Sequence, residues 1–439
     1  MNPPVHRLPR PVLDELAAGR GGPDAVDRLR AAQRSKALLL VRTLVLLVQE
    51  TGHPDRAVVE AAYDVLASMH PDDRAAALGH PPVAAWAFGT ASLLRRGEPA
   101  AAQPGMLAAV AAAAAVRSGA DADLDVPLSA GTPGQLNLPG LGTVLVPAHA
   151  TCARIRRAGG RAEVHCGGER IEIGDGPSGD RRWLPVPRLR FTRDDLPLSL
   201  LLDTRTWRHV PANGEGHQAG GVTDPRRWRH RLDGAWRLLA GCHRPVAEEI
   251  SGALRALLPM ASPPAGTRSG TFHHAFGAVA MSLPPDDQSA AVALAHEIQH
   301  LKLAALADMF TLVEPGPTQF FYAPWRPDPR PMGGLLHGAY AHLGVAGFWR
   351  RQRRVAHTRT ERYRAEVEFA RWTRAAGATV RVLAAQRRLT PVGQCLVEGM
   401  AGVLDDWARE PVTPQATAEA TRLLDAHRAR WERAPARTG

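Results

Sequence analysis

The chain has 439 residues, 45 % hydrophobic and 22 % charged, proportions that exclude a fibrous or disordered class and fit a globular protein. That length exceeds one ordinary core, so two or three packed units are expected. The formal net charge of +11 comes almost wholly from arginines spread along the chain, with lysine only at Lys36 and Lys302, and so lacks the clustered footprint of a nucleic-acid binder.

The first ten residues carry Pro3, Pro4 and Pro9 and no apolar run, which is not the pattern of a signal peptide. From Pro11 to about Ser118 the spacing of apolar residues predicts helices. The clearest runs from Asp24 to Glu50, stopped by Thr51-Gly52-His53-Pro54. Within this region the longest apolar runs, Met106 to Val116 and Ala37 to Val48 (interrupted by Arg42), fall short of the roughly 20 residues a bilayer requires, so no membrane span is expected.

After Asp121 short alternating runs separated by glycines, Gly142 to Pro147, Arg161 to His165 and Arg170 to Ile173, predict antiparallel strands as far as about Val210. The polar, glycine-rich stretch from Asn213 to Gly221 reads as a linker. Helix is expected again from Pro225 to Leu258, followed by a strand within Phe272 to Leu283 that ends at Pro284-Pro285. Asp286 and Asp287 can cap the next helix, which reaches about Thr311. The fold class is therefore α+β: an N-terminal helical region (1–120), a central β-rich region (121–212) and a mostly helical C-terminal metal-binding domain (222–439).

The helix after Asp286 contains His296-Glu297-Ile298-Gln299-His300, an HExxH motif. At 100° per residue, histidines four positions apart lie about 40° apart on one face and can reach one ion, with Glu297 about 60° from His300 on the same side. A hydrolytic zinc enzyme would use that carboxylate as general base on a metal-bound water. The motif sits in an otherwise apolar helix, where polar groups without a partner are costly.

A third ligand is needed, and the peptidase extensions do not supply it. Leu303 and Leu306 stand where one form has Gly and His, and Glu314 precedes Pro315-Gly316-Pro317 in a loop. Downstream, a proline-stiffened segment from Tyr322 to Pro331 leads to a helix carrying His337 and His342. His337 is the leading candidate, because Gly338 beside it permits close helix packing. His342, Glu366 and Glu368 are the alternatives. The pairs His273-His274, Cys242-His243 and His165-Cys166 lack metal spacing, and Lys302 points away from the motif's histidines as a packing cation. Four cysteines, Cys152, Cys166, Cys242 and Cys395, form no CxxC pair, which suits a reducing cytoplasm.

Ala275 to Leu283, His296 to Leu303, Tyr322 to Pro331 and Gly333 to Trp349 resemble the HExxH-motif peptide-modifying proteins of bacterial ribosomal-peptide gene clusters. The resemblance is strongest over residues 270–351 and extends weakly to Leu13–Leu40. It implies Fe(II)- and 2-oxoglutarate-dependent hydroxylation at the β-carbon of a residue in a precursor peptide, with O2 as co-substrate. Under that resemblance His296, His300 and His337 hold Fe(II), and Arg326 or Arg330 holds the far carboxylate of 2-oxoglutarate. Glu297 would then orient water, a ligand histidine or the substrate backbone. The alternatives are a zinc metallopeptidase with Glu297 as base, and a peptide-binding protein whose metal is structural.

Overall fold

The computed structural model describes residues 5–205, 224–263 and 266–433; the linker read at Asn213 to Gly221 lies outside them. Six helices open the chain: α1 (Arg10–Ala17), α2 (Gly22–Thr51), α3 (Arg56–Ser68), α4 (Pro71–Leu78), α5 (Pro81–Arg95) and α6 (Met106–Ser118). Helix α2 starts with proline in its first turn and Asp24 beside its positive end. It stops where Gly52 turns left-handed (φ 61°) and the His53 N–H returns to the Val48 carbonyl at 3.2 Å. One helical stretch among the described residues, Pro99–Ser118, is long and apolar enough to cross a membrane, but 67 % of its apolar window is buried inside the fold. Alanines 108, 109 and 111–115 of α6 face protein on every side, against α3 and β1.

The β-rich segment contains β1 (Ala122–Pro127), β2 (Gln135–Leu138), β3 (Gly142–Leu145), β4 (Cys152–Ala158), β5 (Arg161–Cys166), β6 (Glu169–Ile173) and β7 (Trp183–Pro185). Strands β1, β4, β5 and β6 form an antiparallel sheet, and β2, β3 and β7 form a second. In β4 the burial alternates, Ala153 and Ile155 inward and the neighbouring arginines outward, as a half-solvated sheet requires. These inner faces share one core with α2–α6.

The remaining elements are β8 (Arg188–Arg193), β9 (Leu196–Leu202), α7 (Pro225–Cys242), α8 (Arg244–Ala253), β10 (Ala256–Met260), β11 (Ser269–Thr271), β12 (Ala278–Ser282), α9 (Asp287–Met309), β13 (Phe320–Phe321), β14 (Arg330–Pro331), α10 (Met332–Val355), α11 (Arg359–Ala384), α12 (Pro391–Ala408) and α13 (Pro414–Arg433). Helices at both ends of the chain flank the sheets, an α+β architecture.

Two expectations need correction. The helix read as far as Leu258 ends at Ala253, and Ala256–Met260 is a fully buried strand. A short apolar run has the same signature in a buried strand as in a buried helix. The boundary at 212 also fails as a unit border: β9 pairs in parallel with β10, giving a sheet ordered β11-β12-β10-β9-β8 built from both sides of that boundary. Likewise α1 and the start of α2 share a core with α9, α10 and α12. Compositional change marks where helix gives way to strand, but the backbone groups of β9 find partners more than 50 residues away.

Candidate metal centre

Strand β12 delivers the chain to Pro284-Pro285, and the Asp286 carboxylate accepts the Ser289 N–H at 2.7 Å, capping α9. Along α9 the side chains of Ala291, Leu294, Ile298 and Leu301 pack into a core shared with α7, α8 and the sheet, fixing the rotation of the helix. Helix α10 crosses it closely at Gly344. A Cβ there would lie 2.5 Å from Gln299 Cγ and 3.1 Å from the Ala295 carbonyl oxygen.

This packing turns His296 and His300 the same way, with their Nε2 atoms 3.1 Å apart. Two nitrogens about 2.1 Å from one ion lie about 3.0 Å apart at a right angle and about 3.4 Å apart at the tetrahedral angle. The observed spacing therefore fits an octahedral or a tetrahedral ion.

His337 and His342 both come to this pair from α10. The His337 ring lies 6.1 Å from that of His300, and the His342 ring 5.0 Å from that of His296. The Nδ1 of His342 is 2.8 Å from the Gly338 carbonyl oxygen, which leaves Nε2 as its ligating atom, and its ring packs between Trp325 (4.4 Å) and Trp372 (4.6 Å). His337 has no hydrogen bond to another described residue, so its nitrogens are free to ligate. Burial keeps His296 and His337 near a pKa of about 4, and His300 and His342 well below the usual range. All four rings are thus neutral at neutral pH, the state a metal ligand needs.

Glu297 is 1 % exposed and turned toward β11, where Ser269 Oγ donates to its Oε1 at 2.7 Å. Its other oxygen, Oε2, is buried without a partner, and Oε1 lies 4.0 Å from His296 Nε2. Burial raises this carboxyl to about 7, against the lowering effect of the Ser269 bond.

The two loop arginines separate in role. Arg326 Nε donates to Asp328 at 3.0 Å, and Arg330 Nη1 lies 3.5 Å from the same carboxylate. The short β13–β14 ladder turns Arg330 toward the histidines, so that its charge acts on both His300 and His337. Arg326 and Arg330 thus share the Asp328 carboxylate beside the site.

The remaining candidates are engaged elsewhere. Glu366 accepts from Thr413 Oγ1 at 2.7 Å, Glu368 pairs with Arg371 at 3.7 Å, and Glu314 is exposed. His273, His274 and Asp308 bring ligand atoms within 4.8 Å of one another. Asp308, however, already binds Lys36 at 2.6 Å and Gln33 at 2.8 Å, so an ammonium fills the cation's place. Lys302 lies behind the motif, fully buried, its ammonium 2.7 Å from Glu249. His243 is also structural, stacked on Phe348 and bonded to Gln352 at 3.1 Å.

Gly338 plays a different part from the one expected. A Cβ there would run into the indole of Trp325, not into a neighbouring helix. Sequence reading missed Ser269, because a three-residue strand carries too little alternation to be seen, and missed Trp372 as a wall of the site. Compared with known protein families and with curated proteins, the chain matches none of either.

Proposed function

We propose that this chain is a cytoplasmic peptide-modifying oxygenase in which His296, His300 and His337 hold Fe(II). When bound, Fe(II) with 2-oxoglutarate and O2 supplies the oxidation that hydroxylates the β-carbon of a residue in a ribosomally made precursor peptide. The observation carrying this reading is the His296–His300 pair, its Nε2 atoms 3.1 Å apart, with the His337 ring 6.1 Å from that of His300 and the charge of Arg330 acting on both His300 and His337. Arg330 would take the far carboxylate of the keto acid in a charge-assisted, two-pronged grip. Neutral, buried imidazoles keep the site ready for a cation, and the indoles of Trp325 and Trp372 exclude water on the His342 side. The Ser269 hydroxyl holds one oxygen of Glu297, leaving Oε2 to orient a water or a substrate amide. The four free cysteines support a reducing compartment.

A second reading, a zinc metallopeptidase, is favoured by Glu297 itself. A buried carboxyl held near pKa 7, with one unpartnered oxygen, is tuned for general-base work.

One experiment separates the two. The purified protein is loaded anaerobically with Fe(II), then given air, 2-oxoglutarate and candidate peptide, with succinate and peptide mass recorded. Succinate with a one-oxygen mass gain supports the oxygenase; peptide cleavage supported by zinc without keto acid replaces it with the peptidase. Metal titration of His337→Ala and His342→Ala identifies the third ligand. Loss of affinity in the first and retention in the second is expected; the reverse moves the role to His342.

A further inference from the structure

Away from the metal, a cavity of about 530 Å³ opens between α2, the α4–α5 turn, the end of α6 and the β8–β9 hairpin. Its walls carry Arg30, Arg34, Arg117, Arg188 and Arg255 but, among the described residues, only one carboxylate, Asp175. Arg188 pairs with Asp175 at 3.4 Å, and Arg30 with Asp27 at 2.7 Å. The other three have no carboxylate at ion-pair distance among the described residues, although Asp175 acts on Arg117, and Asp27 on Arg34 and Arg255, from farther away. Arg117 donates to the Pro139 carbonyl at 2.8 Å while its Nε is buried without a partner. Arg255 donates only to the carbonyls of Ser251, Gly252 and Leu254.

Beside Arg117, His80 is 6 % exposed and its Nε2 also lacks a partner. The crowding is felt within the cavity: burial and then the charges of Arg30 and Arg34 bring Arg255 down to about 10. Like charges so placed repel one another, and buried guanidinium nitrogens without acceptors are costly, so the cavity is matched to anionic groups.

The same cavity has apolar walls, including Ala37, Leu78, Pro81 and Leu201, which suit a polypeptide better than a bare inorganic anion. One end of it lies toward the metal side of the molecule. His274 and Phe276 line it, and the adjoining His273 is close enough to act on His337.

We propose that this cleft docks an acidic segment of the substrate peptide, with Arg34, Arg117 and Arg255 taking its carboxylates while the rest of the peptide extends past His274 to the metal. The proposal rests on the peptide-modifying reading for the identity of the occupant; the charge argument stands apart from the chemistry at the metal.

The test is fluorescence anisotropy of the full-length protein with a labelled synthetic peptide rich in Asp and Glu, and with its Asn/Gln counterpart. Arg117→Gln is the direct variant. Because Arg117 is largely buried, Arg34→Glu on the solvent-facing rim serves as a second variant that retains the fold. The acidic peptide should bind and its counterpart should not. Either substitution should weaken binding about tenfold or more, as expected for loss of a charge-assisted hydrogen bond, and added salt should weaken it further.

Equal binding of the uncharged counterpart, or unchanged affinity in Arg34→Glu, overturns the proposal. Displacement of the peptide by equimolar citrate or pyrophosphate overturns it in favour of a small polyanion. Metal content and turnover, measured in parallel, distinguish the two readings. Arginine-dependent binding without peptide oxidation refutes the chemistry alone. Oxidation of the acidic peptide undiminished in Arg34→Glu refutes the cleft alone.

Discussion

Replacing Lys302 by methionine removes a charge lying wholly inside the protein, directly behind the HExxH helix. The ammonium meets three acceptors: Glu249 Oε2 at 2.7 Å, the Gly19 carbonyl at 3.0 Å and the Arg20 carbonyl at 3.1 Å. All three of its N–H donors are therefore satisfied. Glu249 is 3 % exposed and otherwise receives only the Gly22 N–H, at 3.1 Å. Burial pulls the Lys302 pKa below its ordinary value, and Glu249 resists that shift.

In Lys302→Met the carboxylate stays buried without its cation, which costs about 3–5 kcal/mol. The side chain also anchors the α1–α2 turn to α8 and α9, so the loss should reach the metal site as weakened affinity. Pairing it with Glu249→Met removes the orphaned charge, and most of the loss should return, giving a coupling of about 2–4 kcal/mol in a double-mutant cycle. The assay is urea unfolding followed by circular dichroism, with midpoints and slopes compared across the four proteins. A loss below about 1 kcal/mol in Lys302→Met, or a double variant no better than the single, would refute the reasoning.

Gly338→Ala should push Trp325 off the ring of His342, costing about 1–3 kcal/mol as overpacking; quenching or shift of tryptophan fluorescence checks the displacement. Glu297→Gln should keep metal content and abolish any peptidase activity, whereas an oxygenase keeps part of its succinate output; metal analysis beside both assays decides. His243, one of several buried histidines lowered in this way, supplies a separable share of the pH dependence. Its folded pKa is brought from 6.5 down to about 4 by burial, so between those values the unfolded chain binds the extra proton. The resulting stabilisation is present above about pH 6.5 and is lost as pH falls toward 4, about 3 kcal/mol in all. His243→Leu should flatten the stability curve over that window relative to the parent, and parallel curves would count against a buried neutral imidazole.

What the chain itself determined is what acts over one or two helical turns or across a tight turn. Histidines four apart share a face whatever surrounds them; Asp286 caps α9, Gly52 ends α2, and the glycine-separated alternation at 142–173 gives hairpins. The histidine pair was legible for that reason. Tertiary packing decided the rest, because the partners are remote. Ser269 stands 28 residues from Glu297, and Gly19 stands 283 from Lys302. Strand β9 pairs with β10 across the linker, and the arginines of the cationic cleft come from α2, α6, β8 and the turn between α8 and β10. The choice between His337 and His342 belongs to the same class. Both are on α10, and their surroundings are set by packing alone: one ring lies between two indoles with its Nδ1 at the Gly338 carbonyl, the other feels the charge of Arg330. Local spacing is written in the order of residues, whereas which distant side chains meet is set by how apolar faces stack to exclude water, and that is a property of the assembled fold.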